Sequence, residues 1–193
     1  MTRREALRKT ATITGFAVTS SAAIGILNRC TPSGEPGWKT KFLGNDQVDL
    51  VSSMTETILP KTDTPGAIEL HIPEFVDLML ADNYTKSEQD RFLTGLKDFQ
   101  ERTRSKNNRK FEKCTPEDKS SLIEEEENHS YENFWQTHQM SFYLMLKELT
   151  LLGYFTSDYV MNNMLDYHPV PGRYEGCIPF NKDGKLYVDN NIL

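Results

Sequence analysis

The residues of this 193-residue chain that could do chemistry are few and scattered. Its four histidines, His71, His129, His138 and His168, show no metal-ligand spacing with one another, and its three cysteines, Cys30, Cys114 and Cys177, carry no paired-histidine signature of a nucleophile. One pair has a chemically meaningful offset. Glu126-x-x-His129 sets a carboxylate and an imidazole three residues apart, half of the motif that builds a helical di-iron centre when it occurs twice. A second copy is absent. Four acids run from Glu124 to Glu127, so a glutamate three before this histidine is nearly guaranteed, and the run reads as a solvated acidic face. There is no G-x-G-x-x-G after a strand, no phosphate-binding glycine loop and no G-x-S-x-G elbow, which leaves dinucleotide binding, ATP binding and esterase chemistry without support. No catalytic, cofactor-binding or metal-binding residue is assigned.

The elements that must position side chains read as helices. The expected fold is all-α, an irregular small bundle of about five to six helices with a long irregular C-terminal tail. Asn45 and Asp46 cap a segment in which Val48, Val51, Met54 and Ile58 keep helical spacing until Pro60. Pro73 and Glu74 open a second helix, Ser87 caps a third through Phe92, Leu96 and Phe99, and Thr115-Pro116-Glu117-Asp118 starts a fourth. The strongest periodicity spans residues 131–152, where Phe134, His138, Phe142, Met145, Leu149 and Leu152 recur at three and four residues. It predicts one central helix, with so much apolar circumference that it is either enclosed or covered by a partner, enclosure being the usual outcome. Ser157 caps a last short helix through Met161 and Leu165, and from Tyr167 the chain turns irregular.

Two segments are locally unusual. In Leu59-Pro60-Lys61-Thr62-Asp63-Thr64-Pro65-Gly66-Ala67, Pro65 and Gly66 supply the fixed and the positive φ of a tight turn, with Thr62, Asp63 and Thr64 able to bond nearby amides. In Tyr154-Phe155-Thr156-Ser157 and onward through Pro169, Pro171, Gly172 and Tyr174, aromatics alternate with rigid residues, a composition that suits an interface.

The first thirty residues read as a targeting segment. Arg3 and Arg4, with Leu7 after them, precede seventeen uncharged residues at positions 11–27, and the whole resembles a twin-arginine export signal. Cys30 follows directly and is a candidate for acylation, although Arg29 before it breaks the small-residue pattern of a lipoprotein. Residues 31–44 read as a flexible spacer and residues 45–193 as the folded domain. Five basic residues and one acid lie in the leader, which leaves 17 basic and 27 acidic residues beyond it, a formal charge of −10. Such a surface repels phosphate backbones, so nucleic acid is excluded as a partner. Cys114 and Cys177 can form one disulfide outside the cytoplasm or stand as two thiols.

Leu59-Pro60-Lys61-Thr62-Asp63-Thr64-Pro65-Gly66-Ala67, then Pro73-Glu74-Phe75-Val76-Asp77-Leu78-Met79-Leu80-Ala81-Asp82, then Leu149-x-x-x-Gly153-Tyr154-Phe155-Thr156-Ser157 running on to Pro169-x-Pro171-Gly172-x-Tyr174-x-Gly176-Cys177, together resemble the gluconate 2-dehydrogenase subunit 3 family over residues 46–180. The resemblance implies a helical, non-catalytic small subunit. It implies as partner a large FAD-dependent dehydrogenase of the glucose-methanol-choline type, which this chain binds, matures and escorts for export through the twin-arginine translocase. The flavin would sit on that partner, with none bound here, and electrons would pass to a cytochrome c subunit or another acceptor. The location implied is the periplasm, with or without a lipid anchor. A stand-alone exported helical lipoprotein and a small metalloenzyme using Glu126 and His129 are the alternatives from other classes.

Overall fold

The computed structural model describes residues 38–168 and 185–189. Among them are six α-helices: α1 (Asn45–Ile58), α2 (Ile72–Asn83), α3 (Lys86–Asn107), α4 (Pro116–Thr137), α5 (Phe142–Phe155) and α6 (Asp158–Asn163), with a 3₁₀ turn at Phe111–Lys113. None of the described helices is long and apolar enough to cross a membrane. The all-α expectation holds for this body.

Helix α5 is the hub. Its residues Phe142, Tyr143, Leu144, Met145, Leu146 and Leu149 are buried, and α1, α2, α3 and α4 all pack on it. Phe142 enters a gap that α3 leaves open at Gly95: a Cβ there would stand 2.6 Å from the Phe142 ring. The Phe92, Phe99 and Phe111 rings close around the same point, with centroid separations from 5.3 to 6.3 Å. Sustained burial of this kind is the main source of stability in a small bundle.

Several boundaries differ from the sequence reading, each for a local reason. The single helix expected over residues 131–152 is two helices. His138 ends α4 in the left-handed conformation, φ 56°, and the Ser141 hydroxyl accepts the Leu144 N–H to start α5. Three-and-four spacing continues across the turn because both helices face one core, so periodicity alone does not reveal the break. Gly44, not Asn45 or Asp46, is the N-cap of α1, and Gln47 Oε1 accepts its N–H at 2.8 Å. Thr85, not Ser87, caps α3, in a reciprocal pair with Glu88. Helix α6 stops at Asn163, so Leu165 lies beyond it. The chain from Leu165 to His168 pairs as β1, in parallel, with β2 (Leu186–Asp189), where an irregular tail was expected.

Of the stretch read as a spacer, residues 38–44 lie against the body. Asp77 of α2 is 2% exposed, and its carboxylate accepts the backbone N–H groups of Lys41 (2.7 Å), Phe42 (3.0 Å) and Leu43 (2.7 Å). Trp38 and Phe42 pack on the core, and Leu43 is part of it. Three convergent donors compensate the desolvation of a buried carboxylate.

Candidate partner-binding end

Residues 59–67, the start of α2 and the end of α5, which lie in the three segments singled out by sequence, meet at one end of the bundle. The loop from residue 59 to 71 is closed at its neck by Ala67 N–H donating to the Leu59 carbonyl, and it is tied to α2 by Ile72 N–H donating to Ala67 O, both at 3.0 Å. Ile72 and Phe75 of α2 then receive the end of α5: a Cβ on Gly153 would stand 3.1 Å from Ile72 Cδ1 and 2.8 Å from Phe75 Cδ1. At Gly153 the α5 backbone therefore lies close against α2, and no larger residue fits without a shift.

Gly66 serves close approach in the same way. No glycine among the described residues has a positive φ, so the turn expected at Pro65-Gly66 does not draw on glycine's left-handed freedom. Glu56 reaches up from α1 instead. Its carboxylate accepts the Ile68 N–H at 2.9 Å and passes so near Gly66 that a Cβ would collide with it and stand 2.8 Å from the Lys61 nitrogen. Thr62 and Asp63 are exposed, Thr64 and Pro65 half-buried, and Gly66 buried. Thr62 and Thr64 bond across the loop, and Lys61 pairs with Glu69 over its mouth.

On the other side, Tyr154 is only 7% exposed; its hydroxyl points to Met164 Sδ at 3.4 Å and its ring meets Phe155 edge-on. Phe155, by contrast, is 54% exposed, and Leu151 and Leu152 also reach solvent. Enclosure of α5 thus ends with its last turn. Thr156 is exposed and bonds the Leu152 carbonyl, while Ser157 caps α6 through Val160 N–H. Pro169, Pro171, Gly172 and Tyr174 lie outside the described residues, as do Arg3, Arg4, Leu7, Cys30 and Cys177. Cys114 is buried, with its sulfur 3.5 Å from the Lys110 carbonyl and 3.7 Å from the Asn107 amide.

The acidic run on α4 is not one solvated face. Glu124 and Glu125 are exposed, but Glu126 is 5% exposed and accepts Arg102 at 2.6 Å across the floor of an open cleft of about 1340 Å³ between α3 and α4. Burial raises its carboxyl above the usual range, and the guanidinium opposes that shift. His129 turns to Asn133. Among the described residues no three His, Cys, Asp or Glu side chains converge as a metal set. Glu127 meets Tyr143 Oη at 2.6 Å and Lys147 Nζ at 2.5 Å. Sequence reasoning missed the roles of Asp77 and Glu127; an acid inside the apolar run of α2 was the one available signal for the first.

Residues 45–172 match the family model described as Gluconate 2-dehydrogenase subunit 3. Neither a curated protein nor a solved structure gives a match. Since the match covers two thirds of the chain, from α1 through β1, the chain belongs to the gluconate 2-dehydrogenase subunit 3 family.

Proposed function

We propose that this chain is the non-catalytic small subunit of an FAD-dependent sugar or polyol dehydrogenase complex, and that it binds, matures and escorts the large flavin subunit during export. The observation that carries the reading is the convergence of three family segments at an end where Ile68, Leu151, Leu152 and Phe155 remain exposed. Apolar side chains left in water beside one another at one end of a bundle suit protein contact. The substrate would be oxidised at the partner's flavin, because a pyrophosphate is held where a strand turns into a helix under a glycine-rich loop, and this sequence has no such loop. The leader with Arg3 and Arg4 provides the export route for both chains.

The test is to express the tagged chain together with a large FAD-dependent dehydrogenase of the glucose-methanol-choline type from the same source. The expected outcome is a yellow complex in the periplasmic or membrane fraction, with the flavoprotein identified by mass, and loss of exported dehydrogenase activity when this chain is deleted. A flavin-free monomer, or sugar oxidation by the purified chain alone with an added acceptor, overturns the reading.

A further inference from the structure

The exposed apolar residues do not stop at the end of α5. Trp135 is 74% exposed, the most exposed large apolar side chain among the described residues, and Tyr131 stands one turn before it on α4. The Lys147 ammonium lies 5.5 Å from the Tyr131 ring centre, which joins the two helices, and Leu151 and Phe155 follow Lys147 at intervals of four along α5. Residues four apart share a helix face, so Trp135, Tyr131, Leu151 and Phe155 form one stripe down the outer side of the α4–α5 hairpin. Lys147, its one cation, is already committed to Glu127.

Charge decides what this stripe fits. Residues 120–166 hold eight acids and a single basic residue, Lys147. Glu132, Glu148 and Asp158 stand within three residues of a stripe residue along the chain, are exposed, and have no lysine or arginine partner among the described residues. A second copy docked through a two-fold axis would set this acidic face against the same acidic face. A partner with an apolar centre and a rim of Lys and Arg would relieve them instead. We infer that this stripe is the seat of the large flavin subunit, with Trp135 as its anchor and Glu132, Glu148 and Asp158 facing a basic rim on the partner. The inference rests on the proposed function and names the surface that performs it.

Trp135→Ala, Leu151→Ala and Glu132→Lys/Glu148→Lys in the full-length chain, titrated against the purified large flavin subunit at low and physiological salt, test it. All four positions are exposed, so helicity and melting temperature should stay near the wild-type values. The expected result is binding at least about tenfold weaker for Trp135→Ala, as for a central aromatic anchor. The charge reversals should slow association several-fold and flatten its dependence on salt. Wild-type affinity in all variants, beside a wild-type complex that does form, overturns this inference and leaves the proposed function standing. No complex even for the wild type overturns both. A wild-type chain that sediments as a homodimer, and falls to monomer on Trp135→Ala, shows a second copy on the stripe and refutes the assignment. So does iodide failing to quench Trp135 fluorescence in the free Trp38→Phe chain, which means the chain itself covers the ring.

Discussion

Glu126 and Glu127 are neighbours on α4, and the fold treats them oppositely. Burial raises the Glu126 carboxyl above its ordinary value of 4.5 in spite of Arg102, so the folded state holds that proton more tightly than the unfolded chain does. Its contribution to stability therefore falls as pH rises through the carboxylate range. For Glu127, partial burial is outweighed by the bonds from Lys147 and Tyr143, and its carboxyl lies below 4.5. That contribution is present above the unfolded value and is lost as pH falls through the folded one. Glu127→Gln is expected to cost about 1–2 kcal/mol at neutral pH, with the loss vanishing on acidification. Glu126→Gln should stay within about 1 kcal/mol of wild type at neutral pH, because Arg102 can turn to water when its partner is neutral. Urea unfolding at neutral and acidic pH separates the two. Gly66→Ala should destabilise by about 1–3 kcal/mol, because the added carbon meets backbone at Lys61 and cannot be relieved by a rotamer change; calorimetry reads this directly.

Among the elements, the α4–α5 hairpin carries the most information. Its turn holds His138 at φ 56°, a conformation that costs a residue with a Cβ roughly 1 kcal/mol. His138→Gly should therefore raise stability by up to about 1 kcal/mol, less whatever the His138 ring gains by stacking on Phe134. A lower midpoint in urea would show that the stacking dominates. Two of the N-terminal caps were legible in the sequence: Thr115 and Ser157 accept the N–H groups expected of them, and both stand just before a run that begins with an acid or proline. The cap of α3 was misplaced by two residues because Thr85 and Ser87 are chemically similar, and only Glu88, three after Thr85, distinguishes them.

In the whole molecule, the segment that precedes α1 is held to α2 by one carboxylate. Asp77→Ala leaves three backbone donors at Lys41, Phe42 and Leu43 without an acceptor, at a cost of about 3 kcal/mol or more. Limited proteolysis should then cut near Phe42 before the body unfolds; an unchanged cleavage pattern would mean that Trp38, Phe42 and Leu43 hold the segment by packing alone. That latch places residues 38–44 against α2, where the composition of residues 31–44 had suggested a free tether.

What the sequence determined by itself was the kind of element and the kind of protein. Apolar spacing of three and four, with hydroxyl caps, dictates a helical bundle wherever it occurs, since backbone geometry is local. The resemblance likewise rested on residues read in order, and the family match bears it out. Tertiary structure alone decided which neighbours in an acidic run are buried, where α5 leaves the core, and that segments some ninety residues apart share one end of the bundle. Those outcomes depend on which faces pack together, and burial is a property of the assembled surface that no single helix carries.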